Sequence, residues 1–183
     1  MMVKAFISIG SNIEPAENVK RAISLLVSKV RVTGISTVYL TPPVGRPDQA
    51  WYYNCVIEIV TDVSPSDLKY KVLRPIEDAL GRVRTEDKYE SRTIDLDLIL
   101  YDDLVLKREE MTLPDPLILQ RPFLAEGLYE LAPDLEIPGV GMTTSQLITS
   151  LGKAEMVPLK EYSNFLKREV SHAAELPENR KTG

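Results

Sequence analysis

Arg92-Thr93-Ile94-Asp95-Leu96-Asp97-Leu98-Ile99-Leu100 reads as a β-strand with two unlike faces. Side chains alternate along a strand, so Ile94, Leu96, Leu98 and Leu100 form an apolar row suited to packing beneath helices. Asp95 and Asp97 share the opposite row, with Cα atoms ~6.6–6.8 Å apart. The expected strand runs from Thr93 to Tyr101. Aspartate is disfavoured in strands, so two of them inside so apolar a segment require a reason. A carboxylate pair at this separation suits one or two hard cations that converge on the same phosphate oxygens. Taken in isolation, such a pair is more often a solvated sheet face.

Arginine surrounds this strand. Arg82 and Arg84 follow Gly81, Lys88 and Arg92 precede the acidic pair, and Arg121 comes later beside Pro122 and Phe123. Guanidinium groups bind phosphate bidentately and stay charged, so a basic loop beside the acidic strand could cradle a polyphosphate. Glu86, Asp87 and Glu90 interleave with the cations, and spacing alone leaves a mixed-charge solvated loop equally open.

Working outward, Val3 to Ile9 reads as a first strand ending at the turn Gly10-Ser11-Asn12. Pro15 fits a first helical turn, and Val19, Ile23, Leu26 and Val30 recur at helical spacing. The β-branched stretch from Val32 to Leu40 is expected to be the second strand, ending at Thr41-Pro42-Pro43-Val44-Gly45. A third strand spans Tyr53 to Thr61, with Cys55, Ile57 and Ile59 on one side. Ser64, Pro65 and Asp67 mark a helix start, and Leu68, Val72, Ile76 and Leu80 give its buried stripe, ended by Gly81. Pro75 lies inside that stripe, so a kink or a division into shorter pieces is expected there. Asp102-Asp103 turns the chain into a short return strand from Leu104 to Leu106, and helices follow over Pro122 to Leu131 and Thr144 to Leu151.

The order strand, helix, strand, strand, helix, strand is that of an α+β, ferredoxin-like βαββαβ core with C-terminal helical additions. It places two helices on one sheet face and leaves the other available for a site. Residues 1–152 form the expected domain and 153–183 an extension. In the latter Leu159, Tyr162, Phe165, Leu166 and Val170 line one helix face, while the chain after Pro177 is polar and frayed.

Composition bounds the chemistry. The chain has 183 residues, 44% hydrophobic and 27% charged, and a net charge of −5 from 22 basic and 27 acidic residues. One globular domain with an appendage is expected. The negative charge argues against a nucleic-acid or anionic-membrane binder. No apolar run approaches the ~18–20 residues of a membrane span, and the N-terminus is a poor secretory signal. With one cysteine, Cys55, and one histidine, His172, a Cys/His zinc site is excluded; a metal here must be a hard cation on oxygen ligands. A cytoplasmic, monomeric protein is the expectation.

A further constellation joins the turns Gly10-Ser11-Asn12 and Thr41–Gly45 with Tyr52-Tyr53-Asn54. Fixed backbone groups and an asparagine amide suit the edge of a flat heterocycle, with Tyr89 and Phe123 available for stacking. On the residues alone, ordinary turn chemistry explains them better.

Together the motifs Gly10-Ser11-Asn12, Thr41-Pro42-Pro43-Val44-Gly45, Asn54, Gly81-Arg82-Val83-Arg84, Arg92-Thr93-Ile94-Asp95-Leu96-Asp97 and Arg121-Pro122-Phe123 resemble the 6-hydroxymethyl-7,8-dihydropterin pyrophosphokinase family, in its order and approximate spacing across about Val3 to Pro138. The resemblance implies transfer of the terminal diphosphate of ATP to the pterin hydroxymethyl oxygen, releasing AMP, in folate biosynthesis. It implies two Mg²⁺ ions on Asp95 and Asp97, with Arg82, Arg84, Arg92 and Arg121 on the phosphates and Glu77 and Thr112 near the nucleotide. Thr41, Pro42, Val44, Tyr52, Asn54 and Phe123 would form the pterin pocket, and Tyr89 would close over it on a lid from Arg82 to Ser91. Arg82, Arg84, Arg92 and Asp97 are the implied catalytic groups, Asp97 also as a candidate acceptor of the hydroxyl proton.

Two positions depart from the pattern. Asp115 follows Pro114 where the family usually has histidine, and Glu90-Ser91 replaces Gly-Pro before the arginine of the acidic strand. A carboxylate at Asp115 repels phosphate unless a cation intervenes, which sets an expectation of weakened ATP binding. A non-catalytic ferredoxin-like ligand-binding module and a metal-dependent phosphohydrolase are the alternatives; the products of an incubation with ATP separate them.

Overall fold

A computed structural model describes residues 1–87 and 89–175. The expected frayed segment after Pro177 and the expected contribution of Lys88 to the basic loop lie outside the described residues. Strand β1 (Val3–Ser11) buries Ala5, Ile7 and Ile9 on one side and Phe6 on the other, so both faces of the sheet are covered along this strand. Helix α1 (Pro15–Val27) starts on Pro15 and buries Val19, Ala22, Ile23 and Leu26, as the spacing requires.

The expected strand Val32–Leu40 is instead two: β2 (Arg31–Ile35) and β3 (Tyr39–Thr41). The break occurs where backbone donors find partners off the ladder. Thr37 N–H donates to Glu130 Oε2 at 2.8 Å and Val38 N–H to Ser163 Oγ at 2.8 Å. Both break residues hydrogen-bond to distant helices rather than to a strand. Both short strands pair antiparallel with β4 (Tyr52–Thr61).

The helical stretch after Ser64 is divided, as Pro75 demands. Ser64 caps α2 (Pro65–Asp67), a π-helical turn covers Leu68–Leu73, and α3 spans Arg74–Ala79. Arg74 N–H reaches back to Lys69 O; the wider turn accommodates a proline that brings no donor. Strand β5 begins at Asp95 and runs to Tyr101, two residues later than expected. The carbonyls of Arg92 and Thr93 are taken by the β1–α1 turn: Asn12 N–H and Ile13 N–H donate to the first, each at 3.2 Å, and Ser11 Oγ to the second at 2.6 Å.

The return strand also differs. Asp102, at φ 48, peels the chain off the sheet, and the pairing found is a separate hairpin of β6 (Leu106–Arg108) with β7 (Met111–Leu113). Helices α4 (Pro122–Leu131) and α5 (Thr144–Leu151) match their sequence expectations at both ends, the latter with a Thr143–Gln146 capping box. Between them lies the hairpin β8 (Glu136–Ile137) with β9 (Met142–Thr143). Strand β10 (Val157–Pro158) and helix α6 (Lys160–Glu175) complete the described chain.

The main sheet has six strands in the order β10-β3-β4-β1-β5, with β2 also on β4, and its pairings are antiparallel. The protein is therefore of mixed α+β type. Residues of α1, the divided helix and α6 share one core with Ile7, Ile57 and Leu96. The second face is not left open, as the sequence order suggested: α4 and α5 cover it with Leu124, Leu128 and Leu147 against Phe6, Val56 and Leu100. The end of that face near Gly10, Asn54 and the start of β5 opens into a cavity.

Gly127 sets how closely α4 approaches. A Cβ there would lie 2.5 Å from Val56 Cγ2 and 2.9 Å from Val56 Cβ. Helix propensity alone would favour alanine by ~1 kcal/mol, but overpacking of this kind costs ~1–3 kcal/mol. Gly127→Ala is expected to lower the melting temperature by a few degrees, read by calorimetry; a rise would show that α4 shifts freely.

Candidate active site

The sheet brings three backbone ends together. Gly10 pairs with Asn54 on one side and with Asp95 on the other, while Ser8 faces Asp97. The two small residues leave space beside the acidic row. Gly10 is required by a close approach: a Cβ would meet Asn54 Oδ1 at 2.8 Å. Asn54 is itself fixed, its Nδ2 donating to Thr41 Oγ1 at 2.6 Å.

Above this end lies a cavity of about 620 Å³, lined by Thr41, Pro42, Val44, Tyr52, Asn54, Tyr89 and Phe123, together with Arg92, Asp95 and Arg121. The residues expected to contact a heterocycle therefore converge. A smaller cavity of about 110 Å³ continues from it past Asp95 to Asp97 and Asp115. A further one of about 220 Å³ opens beyond Asp97 and Asp115, lined by Lys69, Glu110 and Thr112. Asp95 and Asp97 thus stand between a mostly apolar chamber and a polar one, with Thr112 in the second.

Arginine clamps the nearer carboxylate. Arg92 NH1 donates to Asp95 Oδ2 at 2.6 Å, and Arg82 NH2 lies 3.7 Å from Asp95 Oδ1. Among the described residues Arg82 Nε is buried without a hydrogen-bond partner. Arg121 lines both cavities on the Asp95 side. Arg84 is not in the cleft: it pairs with Glu77 and, at 2.7 Å, with Asp78 Oδ1. Glu77 is likewise committed, its buried carboxylate accepting the Leu96 N–H at 2.9 Å. It tethers α3 to the acidic strand, and burial raises its pKa.

Asp97 reaches solvent yet has its pKa pushed up to about 7 by enclosure and by the negative charges of Asp95, Asp115 and Glu77. An acid that holds its proton more tightly when folded favours the fold at low pH. That contribution is lost as pH rises from about 4 to about 7, and the charged form then opposes folding. Asp97→Asn is expected to melt higher than wild type in EDTA, by a margin that widens from pH 4 to 7 and is constant above. A margin independent of pH would contradict this cause.

Asp115 has a local reason. Its Oδ1 accepts the Leu117 N–H at 2.8 Å and caps a 3₁₀ turn over Pro116–Leu119; burial raises its pKa. The loop carrying Tyr89 is closed over the cavity. Gln49 Nε2 donates to Tyr89 O at 2.9 Å, Arg46 pairs with Asp87, and Tyr89 packs against Gly45, whose φ of +73 excludes most side chains. At the base of this loop Asn12 Nδ2 donates to Ser91 Oγ at 3.2 Å, and Asn12 Oδ1 accepts the Arg92 N–H at 2.8 Å. The serine of the variant loop thus gains a hydrogen bond.

Sequence reasoning missed Gln49, Leu117, Ala154, Glu155 and Met156, all of which line the large cavity. Leu117 is next to the Asp115 motif, but nothing in the composition of 154–156 marks it.

A magnesium site fits these residues. Among the described residues no group of three or more His, Cys, Asp or Glu is arranged to hold a metal alone, and Mg²⁺ usually takes one or two carboxylates and completes its shell with water and substrate phosphates. The repulsion that raises Asp97 is what a cation would relieve.

A sequence model described as 7,8-dihydro-6-hydroxymethylpterin-pyrophosphokinase (HPPK) matches residues 6–133. A Haemophilus influenzae protein named 2-amino-4-hydroxy-6-hydroxymethyldihydropteridine pyrophosphokinase is 36% identical over 155 residues, covering 83% of this chain and 92% of its own. The Bacillus subtilis protein of that name is 35% identical over 145 residues, covering 78% and 86%. The crystal structure of Plasmodium falciparum HPPK-DHPS with pterin and p-hydroxybenzoate shares the fold, with a TM-score of 0.63 at 12% identity over 82% of this chain. The present chain spans only 42% of that longer one.

Proposed function

The chain belongs to the 7,8-dihydro-6-hydroxymethylpterin-pyrophosphokinase family, and on that premise we propose that it moves the terminal diphosphate of ATP onto 6-hydroxymethyl-7,8-dihydropterin in folate biosynthesis, with Mg²⁺ and release of AMP. The observation that carries this reading is the convergence of an aromatic and amide-lined cavity with Asp95, Arg92 and Arg121 on one wall. The hydroxymethyl oxygen attacks the β-phosphorus, the bridge to the α-phosphate breaks, and AMP leaves with that bridging oxygen. The hydroxyl proton is released to solvent or to Asp97.

Asn54 and Thr41 hold the polar edge of the heterocycle, Phe123 and Tyr89 its faces, and Pro42, Val44 and Tyr52 its rim. Arg82, Arg92 and Arg121 receive the phosphates, and Thr112 lines the nucleotide chamber. Asp95 and Asp97 would hold the Mg²⁺ ions, which supply charge neutralisation to the triphosphate when bound. Transfer of this kind depends on positioning and charge more than on covalent help. Arg84 and Glu77 act on the structure's geometry as positioning residues, bracing α3 against Leu96.

The strand order β5-β1-β4, flanked by β2 and β3, with α1 and the divided helix sharing one core, supports reading the core as ferredoxin-like. We read residues 1–152 as the catalytic unit and 153–183 as an extension, in a monomeric cytoplasmic enzyme. No helix among the described residues is long and apolar enough to cross a membrane.

Phosphorus NMR of a reaction with ATP, Mg²⁺ and the hydroxymethyl pterin tests the proposal. AMP and a pterin diphosphate are expected in equal amounts; ADP or free phosphate would contradict it.

A further inference from the structure

Beyond the matched segment 6–133 the chain returns to the site. Helix α5 ends at Gly152, whose φ of +68 turns the backbone away, and α5 belongs to the core on one face of the sheet, through Leu147. Helix α6 belongs to the opposite face, through Leu166 and Val170. The intervening strap must therefore pass around the sheet edge, and it does so at the cavity mouth. Ala154, Glu155 and Met156 line the cavity of about 620 Å³.

The strap is held at a fixed register. Val157 pairs with Leu40 and Pro158 with Tyr39, so one step further along the antiparallel ladder Met156 falls beside Thr41, which accepts the Asn54 amide at 2.6 Å. Beyond the pairing, Leu159 N–H donates to Val38 O at 2.9 Å, and buried Ser163 accepts the Val38 N–H at 2.8 Å. Tyr162 closes the anchor, its hydroxyl donating to Ala16 O at 2.6 Å and its ring 5.5 Å from that of Tyr53. Met156 itself is half-buried and belongs to neither core. Its anchored neighbours thus place Met156 outside both cores and at the wall of the cavity, where an occupant would meet it. A thioether suits the face or edge of a flat heterocycle.

We propose that the strap, through Met156, is a wall of the pterin site and sets which heterocycles it admits; this rests on the pterin reading above. The helix α6 then serves catalysis by anchoring that wall.

The test compares the 183-residue chain with its Met156→Ala variant, measuring calorimetric binding of 6-hydroxymethylpterin in the presence of Mg²⁺ and a non-hydrolysable ATP analogue, alongside turnover. Truncating one apolar contact in a pocket typically costs tenfold or more in discrimination, so pterin affinity is expected to fall about tenfold. The KM for ATP should stay within about twofold, the melting temperature should not change, and a ring-alkylated pterin should lose less affinity than the parent. Equal pterin affinity in both proteins, or a parallel fall in ATP affinity, overturns the proposal. Wild type that binds the pterin but forms no AMP refutes diphosphate transfer while the binding comparison still decides the strap. Wild type that binds no pterin refutes both.

Discussion

Asp97→Ala and Asp95→Ala should each reduce diphosphate transfer by roughly 10³-fold or more, the several kcal/mol that charge neutralisation supplies in phosphoryl chemistry. Their stabilities should move in opposite directions. Asp95 sits between Arg92, at 2.6 Å, and Arg82, at 3.7 Å, so its removal takes a carboxylate from between two cations. Asp97 faces instead Asp95, Asp115 and Glu77, whose repulsion outweighs the attraction of Lys69, and its removal relieves that repulsion. Loss of activity with a lower melting temperature for Asp95→Ala and a higher one for Asp97→Ala is a combination that damage to the fold cannot produce. Equal destabilisation with retained activity would show that the acidic row is only a sheet surface. Steady-state AMP formation and calorimetry on the same preparations decide it.

Arg82→Ala is expected to lower kcat by about 10³-fold, the lower end of what a charge-stabilising arginine supplies to phosphoryl transfer, with a smaller effect on the KM for ATP. The side chain is enclosed, yet among the described residues its Nε is unpartnered and its one ion pair is the long one to Asp95. A buried donor without a partner is costly, and a phosphate oxygen would satisfy it. Arg82→Lys keeps the charge but not the planar fork, so it should recover only part of the rate. Arg84→Ala provides the contrast. That side chain is spent on Glu77 and Asp78, so its loss should act through the placement of Leu96 and lower stability as well as rate. If Arg82→Ala matched wild type in single-turnover experiments, the arginine would be structural.

Much of this was legible in the chain itself. The alternation from Ile94 to Leu98, the periodicity of α1 and the proline-started α4 each follow from one local rule, and the structure keeps them; the expected apolar row fails at Leu100, which a register shift against β1 turns into the opposite core. The family motifs located the cavity because turns such as Thr41–Gly45 carry their geometry in their residue types. What stayed hidden depends on distant partners. The break at Thr37 and Val38 is set by Glu130 and Ser163, and the β-branched run gave no sign of it. The resemblance singles out Glu77 for the nucleotide, but its bond to the Leu96 N–H depends on how α3 meets the strand. The 154–156 strap has no motif; its place is fixed by the pairing of β10 with β3. The closure of the second sheet face by α4 depended on a glycine, Gly127, whose role only the contact with Val56 reveals.

The most direct test of the account is anomalous diffraction from crystals grown with Mn²⁺ and a non-hydrolysable ATP analogue. Metal peaks on the carboxylates of Asp95 and Asp97, with the triphosphate running from the Thr112 chamber toward Asn54, are the expected result. A nucleotide bound elsewhere, or these carboxylates free of metal beside it, would contradict the account.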